Sequence, residues 1–288
     1  MPDPPRGVVA APGLGRIPAC HGRLPAVPRL PLTAHASRQT MLAIIGGSGL
    51  NWLANLDVVR RQVVRTPHGE PSGALTFGTI AGREVVFLAR HGYGNTIPPH
   101  EVNFRANIWA LHAVMVKDVV SVASVGGIRP DLAPGTLAVP DQIIDYTHGR
   151  ASTFFTRTSH AVTHIDFTHP YCERMRQRLL KAAATAGEDV TAGGTYAATQ
   201  GPRLETAAEI DRLERDGAHM VGMTGMPEAA LAREIGLCYA AIAVVVNHAA
   251  GRASSAAGIR LDDIARITQR ATARVRNILE TLVGLDDD

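Results

Sequence analysis

The chain has 288 residues, 45% of them hydrophobic, and a formal net charge of only +3. This length and composition are sufficient for one large hydrophobic core or two small ones, and they exclude a wholly disordered chain. Five arginines and one aspartate fall in the first forty residues, so the remainder is nearly neutral and has no charge pattern that indicates nucleic-acid binding.

The predicted elements begin after residue 40. Residues 1–40 are rich in Pro, Arg, Ala and Gly and lack apolar periodicity, which predicts a disordered N-terminal extension. From Met41 onwards, short apolar runs alternate with helical patterns, which predicts one α/β domain over residues 41–288. The expected strands are 42–45, 84–89, 119–124, 137–144, 194–199 and 239–246.

Five helices are expected between and after these strands. Apolar residues spaced by three and four predict helices over residues 102–116, 175–182 and 204–213. A fourth helix begins at Pro227, whose missing amide hydrogen is harmless in a first turn. The fifth runs from about residue 262 to residue 285.

Cysteine spacing and hydropathy narrow the class of protein further. Cys20, Cys172 and Cys238 are far apart and form no CxxC pair, so we expect neither a disulfide framework nor a metal site. The longest strongly apolar run, 238–246, is well short of the roughly 20 residues that a membrane-spanning helix needs. We therefore expect a cytoplasmic protein that binds neither membranes nor nucleic acid.

Groups that can bind an oxyanion follow three of the predicted strands. These are Gly46-Gly47-Ser48-Gly49, Arg90-His91-Gly92 and Ser124-Val125-Gly126-Gly127. Any one of them alone is equally well explained as a glycine turn or a surface ion pair. Because ligands bind at the carboxyl ends of strands in open α/β sheets, the three together predict an anion site.

A dinucleotide-binding turn is the rival interpretation of the first motif. The Gly47-x-Gly49 spacing would then require Gly or Ala at position 52, where the chain has Trp52. This rival is therefore disfavoured.

Three further polar segments lie between predicted elements. Residues 199–205 and 222–228 are turns between a strand and a helix, and each is open to interpretation as a capping turn alone. Asn247 ends a very apolar strand, and its amide needs partners, either in its own backbone or in a ligand.

Seven segments of the chain carry a family resemblance. In chain order they are IIGGSGL, ARHG, PPHEVNFRANIWAL, SVGGI, PGTLAVPDQIIDY, TQGPRLET and VGMTGMPEAALARE. Together they resemble the methylthioadenosine phosphorylase branch of the purine nucleoside phosphorylases. It covers residues 41–285, whereas residues 1–40 have no counterpart. The resemblance implies a single-domain α/β/α sandwich with a central mixed, partly barrel-like sheet. It also implies a homotrimer and metal-free phosphorolysis, with orthophosphate as co-substrate and no cofactor.

The resemblance further implies roles for matching residues. Those that bind phosphate are Ser48, Arg90, His91, Ser124, Val125 and Thr224. Met223 matches the residue that contacts the ribose, and Leu204 stands against the base where many relatives have Phe. Glu205 and Leu261 match specificity positions, and the apolar Leu261 favours a methylthio group over a hydroxyl at the 5′ side.

The chain departs from this pattern at the base site. Adenosine-specific relatives have Asp-x-Asp where this chain has Asn247-His248-Ala249. An Asn amide can donate to O6 or N7 of a 6-oxopurine, whereas a carboxylate would face O6 acceptor to acceptor, at about 1–3 kcal/mol for each unpaired group. We therefore expect a 6-oxopurine nucleoside such as methylthioinosine, with Asn247, Arg90 and His91 as the catalytic residues.

Three alternatives remain open. Two keep the enzyme class: a methylthioadenosine phosphorylase with a relaxed base site, and a general inosine and guanosine phosphorylase. The third is a nucleoside-binding protein without catalysis, suggested by the loss of both aspartates. Residues present at every phosphate position argue against it.

Overall fold

The computed structural model describes residues 41–50, 52–156 and 162–285. The predicted N-terminal extension, residues 1–40, lies outside the described residues. Within them, eleven strands form one mixed sheet. The strands are β1 (Leu42–Gly46), β2 (Asp57–Gln62), β3 (Leu75–Ile80), β4 (Arg83–Ala89), β5 (Asp118–Gly127), β6 (Leu137–Val139), β7 (Gln142–Asp145), β8 (Val190–Ala192), β9 (Thr195–Ala198), β10 (Met220–Gly222) and β11 (Cys238–His248).

Four parallel strands form the centre of this sheet. β1 pairs in parallel with β4 on one side and β5 on the other, and β5 pairs in parallel with β11. Their near-continuous apolar sequences suit strands that are covered on both faces. The sheet divides at the end of β5, where Gly126 and Gly127 pair with β11 on one side and with β10 on the other. This division is consistent with the expected partly barrel-like shape.

Helices cover both faces of the sheet. They are α1 (Phe104–Ala113), α2 (Glu173–Thr185), α3 (Ala207–Arg215), α4 (Gly225–Glu234) and α5 (Leu261–Gly284). Trp109 of α1 and Leu231 of α4 belong to one hydrophobic cluster, and Met175 of α2 and Leu279 of α5 to another. The expected α/β/α class is confirmed. None of the helices in the described part of the chain is long and apolar enough to cross a membrane.

Two predicted boundaries are wrong. Residues 137–144 form two strands, because Pro140 has no amide hydrogen and the pieces pair with different neighbours, β6 with β11 and β7 with β9. The helix expected from Leu204 begins only at Ala207. Its N-cap is Thr206, which forms a reciprocal capping box with Glu209.

The expectation about cysteines is also wrong, because Cys172 and Cys238 form a disulfide. Cys172 is the N-cap of α2 and Cys238 is the first residue of β11. They are 66 residues apart in the sequence and come together only through tertiary packing, so their spacing gave no sign of the bond. The backbone amide of Cys172 donates to the carbonyl of Tyr239 at 2.8 Å, which brings the two cysteines together. Cys20 lies outside the described residues.

Candidate active site

A cavity of about 380 Å³ opens at the carboxyl ends of β1, β4, β5 and β11. These strands are parallel, so their ends meet at one edge of the sheet. We call it the strand-end cavity. The residues predicted from the sequence that line it are Ser48, Arg90, His91, Ser124, Val125, Leu204, Glu205, Met223, Thr224, Asn247 and Ala249.

Two predicted residues do not line the strand-end cavity. The Nδ1 atom of His248 lies 2.8 Å from Oγ of Ser254. Leu261 is 70% exposed at the start of α5, and Ile264, one turn later, lines the cavity instead. A separate cavity of about 730 Å³ lies beside the first residues of β11 and includes none of the predicted site residues.

Arg90 is fully buried and almost fully hydrogen-bonded. Its Nε and Nη2 donate to the two oxygens of Glu228 at 2.8 and 2.9 Å, Nη2 also donates to Ser121 Oγ at 2.6 Å, and Nη1 donates to the carbonyl of Val122 at 2.9 Å. A guanidinium has five N–H groups, so one remains, on Nη1. A Cβ at Gly47 would lie 3.0 Å from Nη1, so this glycine lets the backbone approach the guanidinium closely.

Glu228 is the residue that the sequence interpretation missed at this end of the cavity. It is fully buried in the first turn of α4, and it also accepts hydrogen bonds from Ser121 Oγ and Tyr239 Oη, each at 2.8 Å. Burial alone would lower the pKa of Arg90, but the charge and hydrogen bonds of Glu228, with smaller contributions from Tyr239 and Tyr196, leave that pKa raised. The guanidinium therefore remains charged and held in one orientation. Glu228 and Arg90 are 138 residues apart, so no local pattern pairs them.

His91 is oriented by the loop that follows it. Its Nδ1 lies 2.8 Å from the carbonyl of Ile97, which can only accept, so Nδ1 carries the hydrogen. Burial and the neighbouring charge of Arg90 lower the pKa of His91 and favour the neutral ring. A neutral ring with this tautomer leaves Nε2 as an acceptor, suited to a protonated oxygen such as that of hydrogen phosphate.

Small hydroxyl residues complete this end of the cavity. Ser48 is exposed and Ser124 is half-buried, with Ser124 Oγ 3.5 Å from the carbonyl of Ser48. Thr224 is buried, its amide donates to the Tyr196 hydroxyl at 3.4 Å, and its side chain also hydrogen-bonds to Tyr196. These residues supplement the one remaining N–H of Arg90 as hydrogen-bond donors in this part of the cavity.

The strand-end cavity also presents an amide and a carboxylate. A bulge in β11 between Val245 and Asn247 shifts the register against β5 and re-aims the side chains that follow. Asn247 Nδ2 donates to the carbonyl of His248 at 2.6 Å, which leaves one N–H and the amide oxygen. Glu205 accepts from Thr199 Oγ1 at 2.7 Å through one oxygen, which leaves the second.

Other lining residues were not assigned to the site from the sequence. The segment after His91 contributes Asn95, Thr96, Ile97, Pro98 and Pro99, and α5 contributes Ile264 and Thr268. Ile97, Pro98, Pro99 and Ile264 supply apolar surface, and Asn95, Thr96 and Thr268 supply polar groups. Among the described residues, no cluster of His, Cys, Asp or Glu is arranged to hold a metal ion.

The buried His91 and the half-buried His68 and His112 make the stability of the protein depend on pH. Burial, reinforced by a nearby cation, lowers the pKa values of His68, His91 and His112 below 6.5 in the folded protein. Near pH 6 the unfolded chain therefore binds more protons than the folded protein does. The contribution of these histidines to the free energy of unfolding is complete above pH 6.5 and is lost as the pH falls. We expect the free energy of unfolding to decrease from pH 7 to 5.5, measured by urea denaturation. His112→Gln should flatten that slope, and an unchanged slope would contradict this assignment.

Comparison with known proteins places the chain in a family. The family model described as the phosphorylase superfamily matches residues 41–284. The chain belongs to this family. A probable S-methyl-5′-thioinosine phosphorylase of Pseudomonas syringae pv. tomato is 51% identical over 245 residues, which are 85% of this chain and 99% of the relative. The 6-oxopurine nucleoside phosphorylase of Pyrococcus furiosus is 46% identical over 215 residues, covering 73% of this chain and 80% of that one.

Solved structures of the family share the fold. Methylthioadenosine phosphorylase from Schistosoma mansoni in complex with adenine aligns with a TM-score of 0.81 and 34% identity, over 85% of this chain and 91% of that chain. The chain is thus a pentosyltransferase of the purine nucleoside phosphorylase type.

Proposed function

We propose that this phosphorylase cleaves S-methyl-5′-thioinosine with orthophosphate to give hypoxanthine and 5-methylthioribose 1-phosphate, a purine salvage reaction. The observation that carries this proposal is that Asn247 and Glu205 line the same cavity. A 6-oxopurine has a donor at N1 and acceptors at O6 and N7. Glu205 can accept from N1–H and Asn247 can donate to O6 or N7, whereas adenine, with an acceptor at N1, would face the carboxylate unfavourably.

Phosphate occupies the opposite end of the cavity in this proposal. The free N–H of Arg90 and the hydroxyls of Ser48, Ser124 and Thr224 donate to its oxygens, together with the amide of Val125. Nε2 of His91 accepts from its protonated oxygen. This arrangement places the nucleophile next to the sugar that Met223 contacts, so positioning supplies most of the catalysis. The residues named need no further cofactor.

The reaction is a single displacement at C1′. A phosphate oxygen forms the bond to C1′ as the bond to N9 breaks, and the electron pair leaves with the purine. Negative charge grows on the base, where the Asn247 amide stabilises it, and the proton of hydrogen phosphate neutralises the departing purine by way of solvent. Positive charge grows on the sugar, where the phosphate dianion stabilises it.

Apolar side chains contact the 5′ substituent of the nucleoside in this proposal. Ile264 of α5 and Val246 of β11 line the cavity, and neither can hydrogen-bond a 5′-hydroxyl through its side chain. A methylthio group loses less on leaving water than a hydroxyl does, so this wall favours it. Leu261, predicted from the sequence for this role, lies outside the lining of the single chain, and its role stays a prediction.

Phosphate dependence tests the proposed activity. Hypoxanthine release from methylthioinosine should be rapid in phosphate buffer and at least about a hundredfold slower in phosphate-free buffer. Equal rates in both buffers would indicate hydrolysis instead. Binding without turnover would favour the non-catalytic nucleoside-binding alternative.

We further propose that the protein acts in the cytoplasm as a homotrimer. Exposed apolar side chains support self-association, Val162 being 84% and Leu261 70% exposed in the single chain. Light scattering should then give three times the 30.6 kDa chain mass.

The disulfide should not be needed for activity. Disulfides are rare in the cytosol, and Cys238, which is bonded to Cys172, begins β11 at the end opposite to Asn247. We therefore expect the activity to be unchanged in reducing buffer.

A further inference from the structure

One guanidinium outside the cavity lining joins the two loops that face the nucleoside. Arg150 lies in the segment after β7. Its Nη1 donates to the carbonyls of Met223 and Met226 at 2.8 and 2.6 Å, and its Nη2 donates to those of Gln200 and Thr199 at 2.8 and 3.4 Å. Two acceptors thus belong to residues 199–205 and two to residues 223–226.

These two loops present opposite parts of the nucleoside site. Residues 199–205 include Glu205, assigned above to the base, and residues 223–226 include Met223, assigned to the ribose. The loops also touch directly, because a Cβ at Gly201, where φ is +61°, would lie only 2.4 Å from Met223 Sδ. Their spacing therefore sets the distance between the base contact and the sugar contact.

The chemistry of this junction requires arginine. Three of the four carbonyls belong to residues outside the helices and strands, and the fourth belongs to Met226, whose backbone is non-helical (φ −118°, ψ 141°) in the first turn of α4. A planar guanidinium can reach all four at once. A lysine ammonium has three donors on one atom and cannot span two loops in this way. Arg150 also lies over the ring of Phe104 of α1, with Cζ 5.2 Å from the ring centroid, which fixes the side chain against the core.

We propose that Arg150 is a positioning residue for nucleoside binding: it holds the base loop and the sugar loop at a fixed separation without touching the substrate. This inference rests on the proposed function of the cavity. Most of the phosphate end is held separately, Arg90 by Glu228 and His91 by the carbonyl of Ile97, and only Thr224 among the proposed phosphate residues lies between two of the carbonyls that Arg150 binds. Loosening Arg150 should therefore weaken nucleoside recognition more than phosphate recognition.

Arg150→Lys tests this role, with Arg274→Lys as the matched control. Arg274 also fixes loops, through the carbonyls of Gly135 and Asp189 and the carboxylate of Glu188, but none of these three partners lines the strand-end cavity. We expect both variants to lower Tm. Only Arg150→Lys should raise the KM for methylthioinosine, by about tenfold or more, while the KM for phosphate changes by less than about threefold.

A second variant provides a rescue experiment. Millimolar ethylguanidinium should restore part of kcat/KM to Arg150→Ala and none to Arg274→Ala. The proposal is overturned if both KM values rise by the same factor, if Arg274→Lys gives the same nucleoside defect, or if Arg150→Lys and Arg150→Gln both bind nucleoside like the unmodified protein. Failure of the proposed function would appear separately, as absence of phosphorolysis in the unmodified protein.

Discussion

Removing the guanidinium of Arg90 is expected to lower kcat/KM for phosphate by roughly 10²–10³-fold or more, because it takes away the main charge that holds the anion. The same change leaves Glu228 as an unpaired carboxylate that is fully buried, at a cost of about 3–5 kcal/mol in stability. Arg90→Ala alone would thus mix a binding defect with a folding defect.

The double variant Arg90→Met with Glu228→Gln separates these effects. It removes both charges together, so the protein should retain more stability than Arg90→Ala while phosphate saturation is still lost. Glu228→Gln alone keeps an acceptor and should raise the phosphate KM by a smaller factor. Initial rates against phosphate concentration measure both effects, with Arg274→Ala as the control for general destabilisation. Unchanged phosphate saturation in the double variant would mean that phosphate binds elsewhere.

Replacing Asn247 and Ala249 together by Asp is expected to move base preference from methylthioinosine toward methylthioadenosine. The pair recreates the two carboxylates that face adenine in adenosine-specific relatives. Mispairing in a buried site is worth about 1–3 kcal/mol, so the ratio of kcat/KM values should shift by roughly ten- to a hundredfold. An Asp at 247 would also face the carbonyl of His248, now 2.6 Å from the Asn amide nitrogen, so total activity should fall.

Ala249→Asn provides the matched control, because it adds similar bulk at a site that is only 1% exposed without adding a charge. It should lower both activities and leave their ratio unchanged. An equal loss of both activities in the double Asp variant would show that position 247 does not select the base.

The central parallel strands of the fold were predictable from sequence, whereas exposed β2 and buried β3 and β10 were not. Strands β1, β4, β5 and β11 are apolar runs covered on both faces, and each was predicted. β2 was missed because its residues are nearly all exposed and include Arg60 and Arg61. The three-residue strands β8 and β10 are too short to give a periodic pattern.

The same division applies to the site. Ser48, Arg90, Ser124 and Asn247 follow or end parallel strands, so strand order alone brings them to one edge. Glu228 and Arg150 were not predicted, because their importance lies in partners that are distant in sequence: a guanidinium for the first and four backbone carbonyls for the second. Such pairings depend on tertiary packing, which no short motif encodes.

The central claim is that this enzyme prefers a 6-oxopurine nucleoside with a 5′-methylthio group. The most direct test measures kcat/KM for methylthioinosine, methylthioadenosine and inosine at saturating phosphate. We predict that methylthioinosine exceeds each of the others by about tenfold or more, since one comparison changes the base contacts and the other the 5′ contacts. A preference for methylthioadenosine would contradict the roles given to Asn247 and Glu205, and equal use of inosine would contradict the apolar 5′ wall.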